Sequence, residues 1–218
     1  MSDKDFREVE RTDCSFNFVN NVFNMVQTPG PKVGLKVIGQ FLNESLSNGK
    51  KAALVTFDNP TLTISAFKTL GFDFEQALET EQLIYFYYKT NFAETLSLSQ
   101  DYQSIFDEIA ILGGENIERV AFTNADLLLN TQSPILTSMS IQKMAAASGN
   151  HKFTFLGQYN ESQSSTFETI QEKCKSVLAS FYTIKNSVDG AVVTDHSMRS
   201  YGFGREAVFQ LGRGYVRA

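Results

Sequence analysis

The chain has no tryptophan, two cysteines, two histidines and four prolines in 218 residues. Each scarcity excludes something. Cys14 and Cys174 lie far apart with no Cys-x-x-Cys partner, so neither a disulfide framework nor a zinc site is expected. His151 and His196 each lack a second ligand at metal spacing, and surface or edge-strand roles are expected for them. No stretch approaches 18 consecutive apolar residues, so no membrane insertion is expected. Basic residues are also short, 19 Lys and Arg against 24 Asp and Glu, and the net charge of −5 provides no general field for DNA. The N-terminus, MSDKDFREVERTDC, has no apolar signal-peptide core. Two thiols without an export signal point to a reducing compartment, and the cytoplasm is the expected location.

What the chain does have is an apolar fraction of 42%, with 19 Phe and 8 Tyr to build an aromatic core. Residues 1–14 read as a solvated lead-in and 15–218 as one domain, without linker, repeat or low-complexity segment. The apolar stretch ending at Gln27 reads as a buried strand that enters a TPGP turn. Val33, Val37, Ile38, Phe41, Leu42 and Leu46 then recur at helical spacing up to Asn48-Gly49. KAALVTF reads as a buried strand closed by the Asp58-Asn59-Pro60 turn, and Thr61–Leu70 as a helix stopped by Gly71. A short helix over FDFEQALET and a strand over LIYFYYK follow.

The second half repeats the rhythm. A stripe from Tyr102 to Leu112 ends at Gly113-Gly114, RVAFT begins a strand, and a helix near Pro134 ends near Gly149. KFTFLGQY is a strand, and Phe167, Ile170, Cys174, Val177 and Leu178 mark a helix. FYTIKNS, GAVVTDHSM, EAVFQL and GYVRA read as short strands joined by tight turns. Alternating strands and helices imply parallel β-α-β units. The expected fold is α/β in three layers: a mainly parallel central sheet, helices on both faces and an antiparallel C-terminal edge.

Four phrases in order, GQFLNESLSNGK, LVTFDNP, KTLGFDFEQALETEQLIYF and RVAFTNADLLL, resemble the RecA-like ATPase core and within it the KaiC family, over roughly residues 15–218. The resemblance implies a nucleotide site at three stations, each altered here. Placing Gly30 as the first glycine of the phosphate loop puts Lys36 at the lysine position, but Leu35 then replaces the second glycine and Val37 the hydroxyl residue. Aligning on Gln-Phe-Leu brings Gly34 to the lysine's place, and Lys32 is a third candidate. Thr123 stands where the magnesium-linked aspartate belongs, and Asp126 is about three positions off. Of the paired acids that activate water, Asp58 remains and Asn59 cannot act as a base. Phosphoryl transfer depends on positioning and charge neutralisation, so loss of all three stations implies a lapsed site with no catalytic residue, metal or cofactor.

Gly30, Lys32, Gly34, Lys36 and Asp58 therefore stand as vestigial nucleotide- or anion-binding candidates. Asp58 is better explained as the first residue of a turn, and Lys32 and Lys36 as solvated cations. Asp195-His196-Ser197 cannot align as a triad from adjacent positions. In the tail, Tyr201, Arg205, Arg213, Tyr215 and Arg217 belong to a mixture of arginine and aromatic residues suited to a protein interface. The same mixture also suits a nucleotide-derived ligand. The leading expectation is a non-catalytic scaffold or adaptor subunit with protein partners, self-association among them, and without nucleotide. The alternatives are a nucleotide-binding regulator or weak ATPase with an altered phosphate loop, and a cyclic-dinucleotide- or anion-binding module.

Overall fold

The computed structural model describes residues 16, 18, 20–21, 23–114, 116–130, 132–151, 153–160, 180–187, 190–195 and 209–211. The lead-in 1–14, the helix expected around Phe167–Leu178, His196 and the five tail candidates Tyr201, Arg205, Arg213, Tyr215 and Arg217 lie outside them. The first half runs β1 (Phe23–Thr28), α1 (Pro31–Ser47), β2 (Lys51–Thr56), α2 (Pro60–Thr69), α3 (Glu75–Glu79), β3 (Leu83–Tyr87), α4 (Thr90–Ser99) and α5 (Gln103–Gly113). The second half runs β4 (Ile117–Phe122), a 3-10 turn (Ala125–Leu128), α6 (Pro134–Gly149), β5 (Thr154–Asn160), β6 (Ser180–Ser187), β7 (Gly190–Asp195) and β8 (Phe209–Leu211).

The strands form one sheet in the order β3-β2-β4-β5-β1-β6-β7-β8. The first six of these are mutually parallel. β7 runs antiparallel to β6, and β8 antiparallel to β7. β1 lies inside the sheet between β5 and β6, and all six of its residues are buried. Its side chains alternate between faces, as a strand requires. Phe23 and Met25 join the core under α4, α5 and α6, and Val26 joins the core under α1, α2 and α3. The chain is thus a three-layer α/β domain with helices on both faces.

Local chemistry explains the helix boundaries. Pro31, Pro60 and Pro134 each open a helix, where a missing N–H costs nothing. Asn59 and Ser133 cap α2 and α6 by accepting from Leu62 N and Leu136 N. Gly71, just past α2, takes φ 93°, a conformation that glycine adopts without strain. On α1 the stripe Val37, Ile38, Phe41 and Leu42 packs with Val26, Leu54, Ala121 and Leu156 of four strands. Phe16 and Phe18, stacked at 5.4 Å, set their edges against Tyr182 of β6 at 5.3 and 5.6 Å. Phe18 also meets Phe41 edge-on at 5.2 Å. The segment leading into β1 therefore closes the core beside α1. Among the described residues, no helix is long and apolar enough to cross a membrane.

Candidate functional site

In open α/β sheets, ligands bind outside the carboxyl ends of the parallel strands. Here that edge gathers Thr28 from β1, Thr56 from β2, Thr123 and Asn124 just past β4, and Gln158 from β5. Asp58 follows β2 closely. The three stations at which the sequence resemblance places a nucleotide site thus lie on one edge.

The connection after β1 is only Pro29 and Gly30 before helix α1 begins at Pro31. Lys32, Gly34 and Lys36 all lie within α1 rather than in a loop. The backbone of Gly30 is extended, with φ 172° and ψ 169°, a conformation open to any residue. Its carbonyl accepts from Gly34 N at 3.1 Å, the first helical hydrogen bond, and from Thr28 Oγ1 at 3.2 Å. A phosphate cradle needs a longer loop whose successive N–H groups converge on one anion. Two residues cannot supply it, and Pro31 contributes no N–H.

The space beside this turn holds a side chain. Gln158, 2% exposed, donates through Nε2 to Thr28 Oγ1 at 2.9 Å. Its Oε1 accepts from Asn124 N at 3.0 Å. The amide lies so close to α1 that a Cβ added at Gly34 would stand 2.7 Å from its Cδ and Nε2. The absence of a side chain at position 34 therefore admits the glutamine, not a phosphate. Of the two residues that replace the loop's second glycine and its hydroxyl, Val37 packs into the core below α1, and Leu35 lies partly buried against the same core.

The polar chain continues across the edge. Asn124, with φ 49°, donates from Nδ2 to Asp58 Oδ2 at 2.8 Å. Asp58 N donates to Thr56 Oγ1 at 3.1 Å, and Thr123 Oγ1 donates to the same oxygen at 2.9 Å. From Gly30 to Thr123 the groups of β1, β5, β4 and β2 thus satisfy one another. Thr123 spends its hydroxyl proton on Thr56, and Asp58 is an exposed carboxylate that accepts from the carboxamide of Asn124. Lys32 is exposed. Lys36 is partly buried, and burial followed by the charge of Lys32 pushes its pKa below the ordinary lysine value. Among the described residues no group of three or more His, Cys, Asp or Glu could hold a metal.

Around this closed edge several large apolar side chains face solvent. Leu62 in the first turn of α2 and Ile135 in the first turn of α6 are 70% and 72% exposed. Leu127 of the 3-10 turn and Met139 of α6 are exposed as well. Leu98 of α4 is a further exposed apolar residue. It sits near Gln100, whose Nε2 donates to Ser140 Oγ at 3.1 Å and so ties the end of α4 to α6.

His151 is partly buried between Asp107, whose Oδ1 lies 3.0 Å from its Nε2, and the ring of Phe153, stacked at 5.1 Å. It is a packed structural histidine. Asp126 falls in the 3-10 turn. The residue that sequence reasoning missed is Gln158. Its one visible signal was a carboxamide in the apolar strand phrase KFTFLGQY, and its partners lie 34 and 130 positions away. Comparison with known proteins adds no relative: no family model matches the chain, and no curated protein matches it.

Proposed function

We propose that the chain is a non-catalytic RecA-like scaffold or adaptor that docks onto protein partners of a larger cytoplasmic or membrane-associated assembly. The observation that carries this reading is the carboxamide of Gln158 packed against Gly34, with a two-residue β1–α1 connection beside it. A nucleotide-binding regulator needs an open loop with converging N–H groups, and this edge holds side chains bonded to one another instead. Ile135 and Met139, four residues apart on α6 and both exposed, support docking there, because neighbouring large apolar side chains on a surface favour protein contact.

The test is thermal unfolding of the purified chain with and without millimolar ATP, ADP or GTP and Mg²⁺. A ligand at a hundred times its dissociation constant would stabilise by about 2.7 kcal/mol, on the order of 5–10 °C for a chain of this size. No shift is expected. A Mg-nucleotide shift lost in Lys32→Ala or Lys36→Ala would overturn the scaffold reading and establish a nucleotide-binding regulator. A photo-crosslinking residue at Ile135 should give discrete protein adducts in cells, whereas one at the exposed Ser47 on the opposite end of α1 should not.

A further inference from the structure

Helix α6 is turned the unusual way round. A surface helix normally points apolar side chains at the core and polar ones at water. Here Thr137, Ser138, Ser140 and Ser148 are buried, together with Ile141, Met144 and Ala147. The inner hydroxyls are satisfied. Thr137 Oγ1 donates to Asn130 O at 3.0 Å, and Ser148 Oγ donates to Ala145 O at 2.9 Å. Ser140 Oγ accepts from Asn130 N and from Gln100 Nε2, both at 3.1 Å. The outer side carries Ile135, Met139, Gln142, Lys143, Ala146 and Gly149, all exposed. Lys143 is the one charged residue among the 16 of the helix. Apolar side chains outward and almost no charge suit a helix that is covered on both sides.

The outer side also has a register. Ile135, Met139, Gln142 and Ala146 recur at spacings of four, three and four, the seam of a helix pair. Bulk falls along the seam, with Ile and Met in the first half of the helix and Ala and Gly in the second. A tapered seam of this kind fits a reversed copy of itself, large against small. A parallel pair in register would instead set Ile135 on Ile135 and leave a gap at Ala146.

We propose that α6 docks on α6 of a second copy, antiparallel about a two-fold axis between Ser140 and Ile141. This rests on the docking reading of the same helix and names its occupant. Ile135 of each copy sits against Ala146 of the other, and Met139 against Gln142. The two Gln142 carboxamides flank the axis, where they can bond each other. Reversal sets each helix N-terminus beside the other's C-terminus, so the dipoles attract. Charge agrees with this register. Lys143, one place past the seam, comes alongside Leu136 of the other copy. Gln100 Nε2 donates to Leu136 O at 3.4 Å, so the exposed Asp101 that follows Gln100 stands on that flank. The single cation of α6 thus approaches a carboxylate of the second copy. A helix of 16 residues spans about 24 Å. One such contact falls short of the roughly 800 Å² per partner of a stable interface, so the dimer is weak and reversible.

Sedimentation equilibrium of the full chain, from micromolar to near-millimolar concentration, tests this, with thermal melts checking that each variant is folded. The wild-type chain associates reversibly to a dimer. Ile135→Lys and Ala146→Glu each bury an unpaired charge at both ends of the pairing and weaken association by about tenfold or more. An equimolar mixture of the two variants joins opposite charges at one end, keeps Ile135 on Ala146 at the other, and recovers a heterodimer. Undiminished association of either variant overturns the proposal, and so does a mixture that fails to pair. The photo-crosslinking residue at Ile135 separates this proposal from the docking reading. An adduct of twice the chain's mass supports the pair. A monomeric chain whose adducts are other proteins overturns the pair and leaves the docking reading standing, whereas no adduct at all overturns both.

Discussion

Gly34→Ala should destabilise the wild-type chain and stabilise a chain that already carries Gln158→Ala. In the wild type, the new methyl would stand 2.7 Å from Cδ and Nε2 of Gln158, so the carboxamide must leave. It is 2% exposed and bonded to Thr28 Oγ1 and Asn124 N, so leaving sacrifices two hydrogen bonds. At about 0.5–1.5 kcal/mol each, the loss is about 2 kcal/mol. Alanine in a helix interior returns about 1 kcal/mol relative to glycine, because it restricts the unfolded chain. The net cost is about 1 kcal/mol, a fall in Tm of roughly 2–4 °C at this chain length. Gln158→Ala alone should cost about 2–3 kcal/mol, from the lost bonds and the space left behind. In that background the methyl meets no carboxamide, and the helical gain raises Tm by roughly 2–4 °C. Urea unfolding of the four proteins gives a coupling of about 2 kcal/mol. Additivity within about 0.5 kcal/mol would show that Gln158 does not occupy the space at Gly34.

Two further outcomes follow from caps and protonation. Ser133→Ala should cost about 1 kcal/mol in urea unfolding, because the side chain holds Leu136 N at the start of α6. Asn59→Ala should cost less, since its bond to Leu62 N is longer, at 3.3 Å, and exposed. The pKa of Tyr88 is raised well above its ordinary 10.0, first by burial and then by its hydrogen bond to Glu108 and that group's charge. Burial raises Tyr85 and Tyr102 in the same direction. The folded chain keeps these protons when the unfolded chain has lost them, so the contribution is complete below about pH 10 and is lost as pH rises further. Tyr88→Phe should make the alkaline fall in urea midpoint shallower, and an unchanged slope would refute the assignment.

Most elements were legible because their signals are local. The apolar spacing from Val33 to Leu46 marked α1, and the Asn48-Gly49 stop marked its end. Gly113-Gly114 closed α5, and Pro134 opened α6, as their backbone chemistry requires. Helix α4 was missed because TNFAETLSLS buries only Ala93 and Leu96 and its N-cap, Lys89, makes no side-chain cap bond. Such a helix is decided by tertiary packing rather than by its own periodicity. The edge residues Thr28, Thr56, Thr123 and Gln158 come from four strands, so their mutual bonding had no signature along the chain. Thr123 and Asp58 were visible as altered stations, but nothing in their neighbourhood named Asn124 and Thr56 as their partners. Asp58 is not bonded only within its own turn, because Asn124 donates to its carboxylate.

The place of β1 between β5 and β6 has a consequence for how the chain is made. Asn24 bonds Phe155 across 131 residues, and its neighbour on the other side is Ser180. Ribosomes add roughly 5–20 residues per second, so β1 emerges on the order of ten seconds before either flanking strand exists. β2, β3 and β4 can meet one another in that interval, whereas β1 waits for both of its partners. Contacts of such long sequence separation fold slowly and leave strand edges open to other chains. Enclosure of β1 in the sheet thus waits until both β5 and β6 have been made.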